Sequence, residues 1–148
     1  MSIFSNLFRS GSKAGSKTQK RMIGDIGEDA ACKYLTEHGY DVIARNEQVS
    51  HKEIDIVAEN DDYTVIVEVK TLSVKRTYAE TVGKRASEQI DREKTKNLLY
   101  AAKTWCNRNY SGRTPRIDVI EVYLGDDPPS IVHIENAINE STLYRKRR

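Results

Sequence analysis

The chain has 148 residues and a mass of 16.9 kDa, which is the size of one domain with short extensions. Hydrophobic residues make up 38% and charged residues 31%, so the chain can fill one ordinary core and is not disordered throughout. No apolar run approaches the roughly 18–20 residues of a membrane span. Cys32 and Cys106 lie far apart, which argues against a disulfide framework or a zinc site, and we expect a cytoplasmic, reducing location.

The net charge of +2 hides an uneven distribution. Nine of the 24 basic residues lie in segments 1–22 and 145–148, whereas all 22 acidic residues lie between Asp25 and Glu140. Basic arms on an acidic body attract a polyanion such as nucleic acid through phosphate contacts. Tails that only improve solubility explain the same pattern equally well.

The first 22 residues are predicted to form a flexible basic extension, because residues 10–20 are almost entirely Ser, Gly, Lys, Thr and Ala. An organelle transit peptide is an alternative, since this segment is basic, acid-free and contains Ser. We therefore predict a single domain over residues 23–144 and a basic tail over residues 145–148.

Helical spacing of apolar and small residues predicts a first helix over residues 23–37, which Gly39 would end. A second helix is predicted over residues 86–107. Runs rich in β-branched residues predict strands at 41–44, 54–58, 63–70, 116–123 and 130–134. The order α-β-β-β-α-β-β predicts an α/β domain.

Acidic residues of the second and third strands are predicted to meet. Glu68 and Lys70 lie two residues apart on one strand and share a face. If residues 61–62 form the hairpin loop, Asp55 lies directly opposite Glu68, and a loop shifted by one residue keeps the two acids diagonal on the same face. Two carboxylates and a lysine are the groups that hold Mg²⁺ or Mn²⁺ and stabilise a phosphoryl transition state.

Glu28 is the third candidate acid. It lies on the apolar stripe of the first helix with Ala31 and Leu35. Because this stripe faces the core, a carboxylate on it indicates a specific role. Gly24 and Gly27 would let this helix approach the sheet closely, which favours an inward role for Glu28. The alternative is that Glu28 lies at the margin of the stripe, reaching solvent or capping a backbone donor.

The sequence resembles a known family at several motifs. The segment 24–35, Glu53-Ile-Asp55, Glu68-Val-Lys70-Thr71 and Arg116-Ile-Asp118-Val look like the YraN-like family of bacterial proteins. That family is similar to archaeal Holliday-junction resolvases and belongs to the PD-(D/E)XK nuclease superfamily. The resemblance implies a restriction-endonuclease-like core with a mixed β-sheet flanked by helices.

The same resemblance implies residue roles and an activity. Asp55 and Glu68 would ligate Mg²⁺ or Mn²⁺ with help from Glu28, and Lys70 would activate water or stabilise charge. The implied function is a metal-dependent endonuclease acting on DNA, including branched DNA, and relatives that cut symmetric junctions act as dimers. The alternatives are an RNA-directed nuclease and a nucleic-acid-binding adaptor with this fold and little turnover. One departure is Lys52, which stands where that family usually has Gly.

Basic residues concentrate around the predicted site, in the loop after the third strand and at the start of the second helix, and Lys52 precedes the second strand. We predict that they contact nucleic acid, although a solvated helix face mixed with acids explains the same pattern. The candidates are Lys52, Lys75, Arg76, Lys84, Arg85 and Lys94.

Overall fold

The computed structural model describes residues 16–144, so residues 1–15 of the extension predicted over 1–22, and the tail over 145–148, lie outside the described part. Within residues 16–144, three α-helices, α1 to α3, and five strands, β1 to β5, follow one another with two short 3₁₀ segments. In chain order they are α1 (Ser16–Glu37), β1 (Asp41–Val49), β2 (Lys52–Glu59), β3 (Tyr63–Leu72), α2 (Arg76–Thr81), 3₁₀ Ala86–Gln89, α3 (Arg92–Arg108), β4 (Thr114–Tyr123), β5 (Ser130–Ile134) and 3₁₀ Glu140–Tyr144.

The five strands form one sheet in the order β1-β2-β3-β4-β5. Strands β3 and β4 are parallel, and the other neighbouring pairs are antiparallel. A parallel pair needs a long crossover, which here contains α2 and α3. Helix α1 packs on one face, where Leu35 and Val67 are buried, and α3 packs on the other, against Ile66. The predicted α/β class, a mixed sheet flanked by helices, is confirmed.

Helix boundaries differ from the prediction in three places. Helix α1 begins at Ser16 rather than at residue 23, because residues 17–22 include Lys, Gln, Arg and Met, which favour helices. The predicted helix over 86–107 is interrupted, since the Asp91 side chain accepts a hydrogen bond from Lys94 N at 2.8 Å and starts α3 afresh. The short helix α2 was not predicted. In the described residues no helix is long and apolar enough to cross a bilayer.

The β2–β3 hairpin has the predicted register. Ile56 pairs with Val67, and Asn60 N donates to Tyr63 O at 3.1 Å, so residues 61–62 form the loop. The Asn60 side chain accepts hydrogen bonds from the backbone of Asp62 and Tyr63 and stabilises the turn. This register directs Asp55 towards Glu68, as the two-residue loop predicts.

Candidate active site

The predicted acidic residues and the lysine meet in one open cavity at the carboxyl end of β3. The cavity has a volume of about 620 Å³, and Glu28, Asp55, Glu68 and Lys70 all line it. Lys20 of α1 also lines it, although the sequence placed that residue in the flexible extension. Strands β2 and β3 and helix α1 therefore bring together the four residues predicted as catalytic.

The two strand acids lie close enough to affect each other's charge. Asp55 Oδ2 accepts a hydrogen bond from Val69 N at 2.9 Å, and Glu68 is only 2% exposed. Burial and the neighbouring Glu68 raise the pKa of Asp55 to about 7, although the Val69 N–H acts in the opposite direction. Near neutral pH this pair therefore favours a proton, or a cation in its place.

Two lysines hold the same oxygen of Glu68. Lys70 Nζ lies 3.4 Å and Lys94 Nζ 3.3 Å from Glu68 Oε1. The other oxygen, Oε2, is buried and has no hydrogen-bond partner among the described residues. Burying a carboxylate oxygen without a hydrogen-bond partner destabilises the fold. Such an oxygen is also a suitable ligand for a hard cation. Lys94, predicted only as a nucleic-acid contact, is thus part of the site.

Glu28 is held by β1. Arg45 Nη2 lies 3.6 Å from Glu28 Oε2, and the Asn46 amide, oriented to satisfy its neighbours, donates to Glu28 Oε2 and to Glu53 Oε1 at 3.1 Å each. Asn46 has a φ of 51°, in the left-handed region that Asn tolerates better than most residues. No role was predicted for Arg45 or Asn46, because both lie beyond the strand predicted over 41–44, whereas β1 extends to Val49.

Helix α1 approaches β3 closely at Gly27. A Cβ atom at this position would clash with the Thr71 side chain, so the predicted need for Gly27 is confirmed. Nothing lies within 4 Å of a Cβ at Gly24, and the prediction that Gly24 serves the same approach is wrong. The close approach places Glu28, the next residue, at the cavity.

The acid pair, Asp55 and Glu68, fits a hard divalent cation. Within residues 16–144, no three His, Cys, Asp or Glu side chains form a group that could hold a metal ion. Mg²⁺ in proteins commonly uses one or two carboxylates and takes its other ligands from water and substrate phosphates, so Asp55 and the free oxygen of Glu68 are a suitable donor set. The role of Glu28 as a third ligand stays a prediction, because its carboxylate contacts Arg45 and Asn46.

The six basic residues predicted to contact nucleic acid separate into two groups. Lys52 and Lys94 line one small cleft, and Lys94 also contacts Glu68. The others belong to the β3–α3 connection: Lys75 and Lys84 are exposed, Arg76 Nε lies 2.8 Å from Glu80 Oε1, and Arg85 Nη2 lies 2.8 Å from the buried Glu121 Oε1. The partner of Arg85 is on β4, too far along the chain to be read from the local pattern.

The fold and the site define an α/β domain with a cavity at the carboxyl end of the central strand of a mixed sheet. Acidic residues and lysines line this cavity. Residues 27–122 match the profile described as Uncharacterised protein family UPF0102, and the chain belongs to this family. The predicted YraN-like membership is thereby confirmed.

Relatives from distant bacteria carry the same domain. A UPF0102 protein of Caldanaerobacter subterraneus is 32% identical over 124 residues, covering 83% of this chain and 97% of the relative. One of Treponema pallidum is 38% identical over 128 residues, covering 81% and 94%. Among solved structures, Pyrococcus furiosus SfsA in complex with Ca²⁺ is similar at 17% identity over 81% of this chain and 65% of that chain. Its TM-score of 0.27 is too low to support an argument.

The raised pKa of Asp55 predicts a pH-dependent gain in stability for Asp55→Asn without metal. The ordinary pKa of Asp is 3.8 and the folded value is about 7, so the folded state holds a proton that the unfolded state has released. Wild-type stability therefore falls as pH rises through this window. Asn keeps an acceptor for Val69 N and has no charge. In EDTA, we expect the variant to melt several degrees above wild type at pH 8 and nearly level with it at pH 4, by circular dichroism. An equal difference at both pH values would contradict the assignment.

Proposed function

We propose that this chain is a metal-dependent endonuclease that hydrolyses phosphodiester bonds in DNA. The observation that carries the proposal is the meeting, in one open cavity, of Asp55, an unpartnered oxygen of Glu68 and the ammonium group of Lys70. The resemblance to PD-(D/E)XK nucleases supports it, because these three residues fall on the signature positions of that superfamily.

The residues suit phosphodiester hydrolysis. In this reaction a water oxygen bonds to phosphorus, the bond from phosphorus to one sugar oxygen breaks, and a proton passes from the water to that leaving oxygen through solvent. Negative charge on the phosphoryl oxygens is stabilised by nearby cations. Lys70 lines the cavity with its Nζ atom 3.4 Å from Glu68 Oε1, which supports this role for it. Asp55 and Glu68 would hold Mg²⁺ or Mn²⁺, which when bound supplies further stabilisation of the same charge.

Branched or structured DNA is the proposed substrate class, because the resemblance extends to enzymes that cut Holliday junctions. Cutting a symmetric junction on two strands requires two active sites, so a homodimer is part of this proposal. The cytoplasm, where DNA and Mg²⁺ are both present in bacteria, is the proposed location.

The test is incubation of the purified chain with labelled linear, flapped, single-stranded and four-way DNA and with the matching RNAs, in Mg²⁺, Mn²⁺ or EDTA. We expect cleavage of at least one DNA in the presence of either metal and none in EDTA. Cleavage confined to RNA would change the substrate class. No cleavage of any substrate would contradict the enzymatic proposal.

A second candidate function is a nucleic-acid-binding adaptor with little turnover. It is favoured by the two lysines on Glu68 Oε1, which neutralise this carboxylate without a metal ion. Calorimetry with Mn²⁺ separates the two functions, because a nuclease requires binding heat that disappears in Asp55→Asn. An adaptor gives no heat that depends on Asp55.

A further inference from the structure

A small cleft adjoins the acid pair between the β1–β2 turn and the first turns of α3. Its volume is about 150 Å³, a quarter of that of the main cavity and room for one small anion. The cleft is lined by His51, Lys52, Glu53, Lys94, Asn97 and Leu98.

The cleft carries hydrogen-bond donors and positive charge. Two lysines, Lys52 and Lys94, line the cleft against one acid, so its lining has a positive formal charge. Asn97 brings an amide, whereas Leu98 is buried. The acid in the lining, Glu53, accepts a hydrogen bond from the Asn46 amide at its Oε1 atom. Ammonium and amide donors around a small space are the chemistry that recognises a phosphate group.

Lys94 joins this cleft to the candidate active site. Its side chain lines the cleft, and its Nζ atom lies 3.3 Å from Glu68 Oε1. A phosphate bound in the cleft would therefore be separated from the acid pair by the Lys94 side chain. This is the arrangement expected of a neighbouring phosphate on the strand whose scissile phosphate occupies the main cavity.

The outer rim of the cleft carries an aromatic ring. Lys52 Nζ lies 4.5 Å from the ring centroid of Tyr100, and this cation–π contact holds the lysine near the ring. Tyr100 is 50% exposed, so part of its ring is open to solvent. An exposed aromatic ring beside a basic cleft is typical of surfaces on which a nucleic-acid base stacks.

We propose that this cleft binds a backbone phosphate of the DNA strand next to the phosphate that is cut. The proposal rests on the proposed function and adds a substrate-positioning subsite to it. In this arrangement the cleft fixes the position of the strand, and the acid pair acts on the phosphate delivered to it. Lys52 and Asn97 are then substrate-binding residues, whereas Lys94 serves both sites.

The test is DNA binding in EDTA, where no cleavage occurs. A short fluorescent oligothymidylate is titrated by anisotropy against wild type, Lys52→Ala with Asn97→Ala, and the control Lys103→Ala. Lys103 is on the same helix with a side chain 70% exposed, so its removal deletes a charge outside the cleft. We expect at least about tenfold weaker binding for the double variant, equivalent to about 1.4 kcal/mol, since two donors to a charged phosphate are removed. We expect little change for the control. Equal weakening in both would overturn the proposal.

Side-chain amide resonances locate the bound phosphate. In ¹⁵N spectra of the wild-type chain, the oligothymidylate should shift the Asn97 side-chain amide, and the uncharged methylphosphonate oligomer should not. An unshifted Asn97 amide at saturation would overturn the proposal. Because both measurements are made without turnover, the cleft can be confirmed even if the substrate panel shows no cleavage. Cleavage with unchanged binding in the double variant would reject the cleft and keep the nuclease.

Discussion

Asp55→Asn and Glu68→Gln should each lower metal-dependent DNA cleavage by at least about a hundredfold, and Lys70→Ala should have a similar effect. Asp55 and Glu68 line the same cavity, and the lysine lies 3.4 Å from Glu68 Oε1. Each amide would remove one of the two charged oxygen donors proposed for the cation, and the alanine would remove the positive charge proposed to lie beside the reacting phosphate. Initial rates on the best DNA substrate, at saturating metal and DNA, measure the loss.

Two controls make this result specific to the site. Lys103→Ala removes a lysine that pairs with Glu140 on the surface, and it should cleave at the wild-type rate. Thermal melting should show Asp55→Asn to be at least as stable as wild type near neutral pH, so that its lost activity does not reflect unfolding. Wild-type rates in all three site variants would reject the proposed site, and full activity in EDTA would reject the metal.

The acid pair could be predicted because the position of Asp55 opposite Glu68 depends on local sequence. A two-residue turn between two apolar strands sets the register of a hairpin, and Asn60 strengthens this turn through its own side chain. Strand periodicity then assigns both acids to one face. The part of the candidate site that contains Asp55 and Glu68 therefore follows from the sequence between Asp55 and Lys70.

The other half of the site depends on contacts between distant elements. Lys94 reaches Glu68 only because α3 crosses the sheet at that point, and the sequence showed no more than a basic helix start. Asn46 bridges Glu28 to Glu53 from a backbone conformation that strand patterns do not predict. Arg85 resembled the other basic candidates, although it pairs with the buried Glu121. The local sequence predicts charge and strand or helix periodicity, whereas these contacts depend on how the helices pack on the sheet.

Asp118 shows how a motif residue can serve the scaffold. It is fully buried on β4 and accepts hydrogen bonds from Arg116 Nε at 2.9 Å, Arg116 Nη2 at 2.8 Å and Asn136 N at 2.9 Å. His133 Nε2 lies 2.7 Å from its Oδ2 atom. Burial would raise the pKa of Asp118, but the hydrogen bonds from His133, Arg116 and Asn136 outweigh it and hold the pKa below the ordinary value. Asp118 is thus ionised and satisfied inside the fold.

Asp118→Ala should therefore be strongly destabilising, by about 3–5 kcal/mol, because it removes the buried, hydrogen-bonded charge partner of the Arg116 guanidinium. The remaining acid, Glu135, is exposed and lies 3.8 Å away. In a chain of this size such a loss lowers the melting temperature by roughly 10 °C or more. The matched control is Glu140→Ala, which removes a carboxylate from an exposed pair with Lys103 and should leave the melting temperature nearly unchanged. Thermal and urea unfolding of both variants measure the difference. If Asp118→Ala melts like the control and loses only cleavage, Asp118 belongs to the chemistry and its buried network does not support the fold.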